Sequence, residues 1–353
     1  MIQHLYNTHD VLEILPHWAD YPLRPLNNIN HTETAGIAEP PAVDVRKGAA
    51  TKNFHQANEV YDIDQPLLRD LHHRLILHYL DAIGDQPNVL FSLSFQFVGP
   101  LKFQQFFMDT VAEWATAHKT KVKIALITTK DITDAILADP VRSKQVAMVD
   151  MRYWQYRPDG TVFAPEGGRN LAFRESVQKT FPGSSDHPPP TTAEMAYRQV
   201  REYRDRYPGL ALAAWNNGLG EIPALMAGAS MVLMNSPFGG HGQVPGQDRT
   251  RLDDIVDQHL TGVLMKMRPL DDFVSATEGH AWTIADQKLR EVLIYSSAGD
   301  SVTLSELGGR RNYTGLWLDP SSLRTQPIPG TAAARTKLTK PSSAEWLLLL
   351  EAK

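Results

Sequence analysis

Cysteine is absent from all 353 residues. Disulfides, thiolate metal sites and cysteine nucleophiles are therefore excluded. That absence does not fix the compartment, because many exported bacterial proteins also lack cysteine. No apolar run approaches the length needed to cross a membrane, so no membrane partner is expected. The opening stretch MIQHLYNTHDVLEIL has no basic start followed by an apolar core, and so does not read as a signal peptide. An export signal upstream of Met1 would make the protein periplasmic or extracellular, and without one it would be cytoplasmic. Basic charge is also scarce: the formal net charge is −5, with no basic stripe of the kind that marks a nucleic-acid partner. What is present is ordinary for a globular chain, with 42% apolar and 21% charged residues. The length suits one large domain, or a large one with a small companion.

From about residue 60 onward, helical and strand patterns alternate. Residues 65–83 carry Leu67, Leu68, Leu71, Leu75, Leu80 and Ile83 near helical spacing. His72, His73 and His78 on this segment read as surface residues. NVLFSLSFQFVGPL, 88–101, reads as a buried strand running into a Gly-Pro turn and a helix. Residues 102–117 place Phe103, Phe106, Val111 and Trp114 inward on that helix. VKIALITT, 122–129, is a short continuous apolar run, as expected for a strand covered on both faces. A short helix follows Lys130-Asp131, and VAMVDMRYW, 146–154, is the next strand. A long irregular segment covers 155–190, and loops of that length inside a domain are usually functional or mobile. Helix 192–207, strand 210–216, a short helix at 220–228, strand 230–235 and a helix over about 248–267 complete the alternation.

This order predicts a parallel sheet with right-handed crossovers. Residues 65–267 supply five strands, and Gln3–Asn7 would add a sixth. A closed barrel of this type needs eight. Either the sheet is open or two βα units are missing upstream. After residue 270 the period changes to short strands, HAWTIAD, REVLIYSS, SVTLSEL, YTGLWLD and EWLLLLEA, which read as a small antiparallel sandwich. TAAARTKLTKPSS between the last two reads as an exposed loop.

Several blocks resemble a known family: YNTHDVLEILPHWADYPLRPLNNIN, NVLFSLSFQFVGPLKFQQFFMDTVAEW, TKDITDAILADP, DMRYWQYRPDGTVFAPEGG and VREYRDRYP. They look like blocks of bacterial glycoside-hydrolase-like (β/α)8 barrel proteins of largely unassigned activity. The tail is similar to the β-sandwich that follows such barrels, a module often labelled collagen-binding. The resemblance implies an α/β chain with a TIM-type barrel over 1–268, lacking its first two βα units, and a C-terminal sandwich over 269–353. YNTHD would then lie on the third barrel strand. An open barrel edge would call for an upstream segment or a partner to cover it. The ligand implied is a carbohydrate. No cofactor is expected.

Glycoside hydrolysis generally needs two carboxyl groups flanking the scissile bond. In the large retaining clan that the resemblance brings in, they sit at the ends of strands four and seven. Here Gln96 stands at the first of these positions, or Ser94 or Phe95 if the register slips, and the seventh strand ends Trp215-Asn216-Asn217 with no carboxylate. Glu221, in the first turn of the next helix, is the leading carboxylate candidate. Asp150 and Arg152, two apart on one strand, would share a face. Either Arg152 holds a substrate group with Asp150 as acid or base, or the two form a buried structural pair. With Tyr153 and Trp154 they cluster at the strand's C-terminal end.

The N-terminal segment holding Asn7, His9, His17, Trp18, Arg24 and Asn28 mixes polar and aromatic side chains, as sugar sites do. Together with Gln96, Arg152, Tyr153, Trp154, Trp215 and Asn216, these are the expected substrate-binding residues. His9 and His17 match no zinc spacing and read as hydrogen-bonding groups. Glu166, in the long loop, ranks below Glu221. His241 in a glycine-rich loop is either a lid element or plain surface. Three functions remain open: a glycoside hydrolase acting on a poly- or oligosaccharide, a non-catalytic sugar-binding derivative, and adhesion through the sandwich.

Overall fold

The computed structural model of the chain describes residues 1–6, 24, 26–27, 57–94, 97, 99–164, 166–167, 191–216, 221–234, 255–260 and 264–353. The chain forms two compact units. One comprises Met1–Pro190 with Gly209–Asn217, and the other Thr191–Pro208 with Gly218–Lys353.

The first unit alternates strands and helices: β1 (Ile2–Tyr6), α1 (Pro66–Ile83), β2 (Leu90–Ser94), α2 (Leu101–Ala117), β3 (Lys123–Leu126), α3 (Lys130–Ala138) and β4 (Val146–Asp150). A small hairpin follows, β5 (Gln155–Tyr156) with β6 (Val162–Phe163), and later β7 (Ala211–Asn216). Strands β1, β2, β3, β4 and β7 pair side by side in that order, all parallel. The register is set at one edge by Ile2 opposite Leu90 and Tyr6 opposite Ser94. In β3, Ile124, Ala125 and Leu126 are buried in succession, the signature of a strand covered on both faces.

Helix α1 buries Leu68, His72, Ile76 and Leu80. These lie four residues apart and form a single ridge. The stripe is therefore rotated from the one expected: Leu75 is 37% exposed, whereas His72, expected at the surface, is 1% exposed. The histidine can be buried because both ring nitrogens are satisfied. Its Nε2 lies 2.8 Å from the Val60 carbonyl and its Nδ1 2.8 Å from the Tyr6 hydroxyl. A carbonyl only accepts, so Nε2 carries the proton and Nδ1 accepts from Tyr6. In α2, Phe103, Val111 and Trp114 point inward as expected, joined by Phe107 and Met108, while Phe106 is half-buried. The Gly-Pro turn before α2 needs its glycine, since a Cβ on Gly99 would lie 2.7 Å from the Phe97 ring and 2.8 Å from Tyr61.

The second unit contains α4 (Ala193–Arg206), α5 (Glu221–Met226), β8 (Met231–Met234) and the antiparallel strands β9 (Met267–Pro269), β10 (Val274–Ala276), β11 (Ala281–Asp286), β12 (Glu291–Ser296), β13 (Ser301–Leu304), β14 (Tyr313–Leu318), β15 (Thr325–Pro327), β16 (Lys337–Thr339) and β17 (Trp346–Ala352). One sheet runs β15-β14-β17-β12-β11-β9 and the other β10-β13-β16. Phe273, Val292, Ile294, Val302, Tyr313, Trp317, Leu348 and Leu350 form one core. Leu293, Tyr295 and Leu347, the alternate residues of the same strands, form a second with Ile222, Met226, Ile255 and Leu260. Period-two alternation with both faces covered explains why EWLLLLEA reads as almost unbroken leucine.

Two expectations change here. The stretch TAAARTKLTKPSS is not simply an exposed loop: β16 lies within it, pairing with β13, and Ala332, Leu338 and Lys340 are buried. Of the helix expected over 248–267, the described residues show a helical turn at Val256–Leu260, a 3-10 turn at Leu264–Lys266 and the start of β9. Among the described residues, no helix is long and apolar enough to cross a membrane.

Candidate functional site

Parallel strands bring their C-terminal ends to one edge of the sheet, and in barrels built from such strands the chemistry sits there. In the first unit that edge carries Tyr6 from β1, Ser94 from β2, Thr128 and Thr129 just past β3, and Asp150 at the end of β4. All five are buried.

Strand β4 ends at Asp150, shorter than the expected 146–154. The ladder continues one step further, Met151 N–H donating to the Ala213 carbonyl at 3.0 Å, and the chain then turns. That turn, and not a shared pleat, brings Asp150 and Arg152 together. Arg152 donates to Asp150 three times: backbone N–H to Oδ1 at 3.1 Å, Nε to Oδ1 at 3.1 Å and Nη2 to Oδ2 at 2.5 Å. The pair is buried, with side-chain exposures of 2% and 1%. A two-pronged contact of this kind fixes the guanidinium plane and offsets the cost of burying it.

Tyr153 and Trp154 follow and are also buried. The Lys130 ammonium lies 4.8 Å from the centre of the Trp154 ring and pairs with Asp134 at 2.7 Å. Its position at the start of α3, directly after the strand end, places this cation beside the edge. Thr129 is the residue before α3, and neither its hydroxyl nor that of Thr128 has a hydrogen-bond partner among the described residues. Polar groups left unsatisfied in a buried place are costly.

On β1, His4 Nδ1 lies 2.5 Å from the Ser92 hydroxyl across the register pair. Burial, then the positive charge of Arg152, pull its pKa below the usual histidine value, against opposing pulls from the Ser94 backbone and Asp150. His4 and Ser92 were not singled out from the sequence. Their signal was weak: polar residues in IQHLY and LFSLS, on strands whose remaining positions are mostly apolar.

Past the hairpin, Gly167 is seated on the start of α3. Its backbone N–H donates to both carboxylate oxygens of Asp131, at 3.2 and 3.0 Å. A Cβ on Gly167 would lie 2.3 Å from Ile132 Cδ1 and 2.5 Å from Thr129 Oγ1. The neighbouring Glu166 is exposed.

Among the expected site residues, the structure brings Asp150, Arg152, Tyr153 and Trp154 together. Trp215 and Asn216 end β7, whose neighbour in the sheet is β4. Glu221 opens α5 in the second unit. Arg24 is half-buried at a bend. Asn7, His9, His17, Trp18, Asn28, Gln96 and His241 lie outside the described residues. Among the described residues no group of three or more His, Asp and Glu side chains could hold a metal ion.

A family described as "Domain of unknown function (DUF6298)" matches residues 1–238. No curated protein matches the chain. Among solved structures, one named "Glycoside hydrolase" superposes with a TM-score of 0.51 at 11% identity, over 80% of this chain and 68% of its own. A family 5 glycoside hydrolase from Bacteroides vulgatus gives a TM-score of 0.50 at 10% identity, over 79% of this chain and 66% of its own. The likeness is one of fold, and the chain spans about two-thirds of the length of both structures.

Proposed function

The chain belongs to the family described as a domain of unknown function, DUF6298, and from that premise we propose that it is a glycoside hydrolase acting on a poly- or oligosaccharide. The parallel strands of the first unit are then part of a TIM-type barrel. The observation that carries the reading is the buried cluster at the strand ends, Thr128, Thr129, Asp150 and Arg152, in a fold similar to two structures named as glycoside hydrolases. A sugar site needs hydrogen-bonding groups fixed in direction, and Arg152 held by Asp150 is such a group. Arg152 is assigned to bind a hydroxyl or carboxylate of the sugar. Tyr153 and Trp154, which follow it in the chain and are buried, are assigned to the same binding site.

Asp150 and Glu221 are the proposed carboxylates, and each is tested by itself. The test is release of reducing ends from a panel of β-glucans, xylans, mannans and pectic polysaccharides by the purified chain. Wild-type release, lost in Glu221→Gln or in Asp150→Asn with the fold intact, supports the assignment. Full activity in both variants removes these roles. No release from any polysaccharide removes the hydrolase reading.

A second reading, a sugar-binding protein without catalysis, is favoured by one feature. Both Asp150 oxygens are engaged by Arg152, which suits a positioning role better than proton transfer. Saturable binding of a glycan without any release of reducing ends would select this reading.

A further inference from the structure

Arg157 opens the turn of the β5–β6 hairpin, its backbone N–H donating to the Thr161 carbonyl at 2.7 Å and its carbonyl accepting from Gly160 at 2.9 Å. We propose that Arg157 is a specificity-determining residue that binds the carboxylate of an acidic sugar, so that the saccharide taken by this site contains uronic acid. The proposal rests on the sugar-site reading above and names the substrate class for it.

Three observations converge. First, the hairpin is rooted at the strand ends. Gln155, its first residue, is buried directly after Trp154. The Tyr156 ring meets the Trp154 ring edge-on, at a centroid distance of 5.9 Å and an angle of 81°. Second, the Arg157 guanidinium is held in place. It lies 5.5 Å from the centre of the Phe163 ring on the partner strand. Its Nη1 donates to the Thr161 hydroxyl and to the Val162 carbonyl, each at 3.3 Å. Thr161 in turn donates its hydroxyl to Asp159 Oδ1 at 2.7 Å and its backbone N–H to the same oxygen at 2.9 Å. A stacked and tethered arginine gives up less rotamer freedom when a ligand arrives. Third, the donors left over have the right shape. Among the described residues Nε and Nη2 of Arg157 bond to no protein atom, and no carboxylate pairs with it. Lys130 and Arg152 differ, being paired with Asp134 and Asp150. Nε and Nη2 carry parallel N–H groups along one edge of the guanidinium, and that edge matches the two oxygens of a carboxylate. Arg157 is only half-buried, so a ligand can reach it.

The discrimination follows from what each sugar offers this edge. A uronate presents two coplanar oxygens and a full negative charge. A neutral hexose presents a hydroxymethyl group in the same place, which accepts from one donor and leaves the other unmatched. Hydrogen bonds to charged groups are stronger than those to neutral ones. Partial exposure keeps the gain at the low end of their range, so the carboxylate is expected to improve binding about tenfold. Lysine at this position would keep the charge and lose the paired donors.

The experiment measures binding to the full chain by calorimetry. The probes are oligogalacturonides, glucuronate-branched xylo-oligosaccharides and alginate oligosaccharides, each beside its carboxyl-reduced form, in which every uronate has become the neutral hexose. The quantity read is the ratio of the two affinities. Expected is a ratio of about ten or more for one of these pairs in wild type, falling to about one in Arg157→Gln and to an intermediate value in Arg157→Lys. A wild-type ratio near one for every pair overturns the inference, and neutral sugars that still bind or are cleaved then leave the sugar-site reading standing. A ratio kept in Arg157→Gln also overturns it, even where both affinities fall, because a loosened hairpin does not read charge. A full wild-type ratio in Arg157→Lys overturns the paired-donor fit. A sulfated agar oligosaccharide bound in preference to every uronate would overturn the assignment to a carboxylate. Absence of binding to any saccharide, acidic or neutral, overturns the sugar-site reading and this inference with it.

Discussion

The Tyr6 hydroxyl donates to His72 across 66 residues of sequence, tying the end of β1 to the middle of α1 at 2.8 Å. The histidine passes its other hydrogen bond to Val60, and rings of Tyr6, Tyr61 and Phe103 pack around it at centroid distances of 5.5, 6.1 and 4.8 Å. An imidazolium in this place would lose the bond from Tyr6, because both nitrogens would then be donors.

Burial lowers the His72 pKa from 6.5 to about 4, with the Val60 hydrogen bond opposing. The unfolded chain therefore binds the proton first, and stability falls as pH drops from 6.5 toward 4. At about 1.4 kcal/mol per pH unit, the loss reaches about 3 kcal/mol. Urea unfolding of wild type and His72→Gln across that window checks this: the wild-type slope should exceed that of the variant. Parallel slopes would mean the histidine is not the group responsible.

Asp150→Asn leaves the Arg152 guanidinium buried without its carboxylate. Breaking a buried pair from one side costs about 3–5 kcal/mol, so a large drop in urea midpoint is expected. The double variant Asp150→Leu with Arg152→Met should recover most of that loss, since no charge is then stranded. A double variant as unstable as the single one would show that shape, and not charge, sets the cost.

Gly167→Ala must displace either Thr129 or Ile132, because the added carbon would stand 2.3 Å from Ile132 Cδ1. Overpacking of this sort costs about 1–3 kcal/mol. Limited proteolysis should find new cleavage near residues 164–167. Pairing the substitution with Ile132→Ala, which opens space at the closest contact, should restore part of the protection.

Lys340 buries its ammonium against the Ser296 hydroxyl at 3.2 Å and the Ala298 carbonyl at 2.9 Å. Burial lowers its pKa, with Asp300 pulling the other way. A lysine with a depressed folded pKa makes stability rise with pH as the ordinary lysine range is approached, because the unfolded chain then holds the proton more tightly. Lys340→Met should be within about 1 kcal/mol of wild type or more stable, and should lose the alkaline rise. Thermal melts at neutral and alkaline pH test both points.

The sequence was most legible where one physical signal dominates. The unbroken apolar runs around Ile124 and Leu348 locate strands buried on both faces, and the Gly99-Pro100 turn locates the start of α2. It was least legible where a polar residue is buried for reasons distant in the chain. His72 reads as surface because its partners are Tyr6 and Val60, and nothing within its own helix announces them. β16 was hidden because only Leu338 among its residues is apolar, its pairing with β13 being made by backbone. Asp150 and Arg152 were visible as a pair, but the turn that joins them was not. Gly167 is one glycine among 23, and only coordinates show that a methyl group would not fit there.

The chain's route between its two units has a consequence for its birth on the ribosome. Residues 1–190 belong to the first unit, 191–208 to the second, 209–217 to the first again, and the remainder to the second. Strand β7 therefore emerges only after a helix destined for the other unit has already been made. The first unit must wait, one strand short, while α4 emerges ahead of the strands that make up most of its unit. No single cut of the gene separates two self-sufficient halves, so pieces of this protein should be inherited, expressed and lost together.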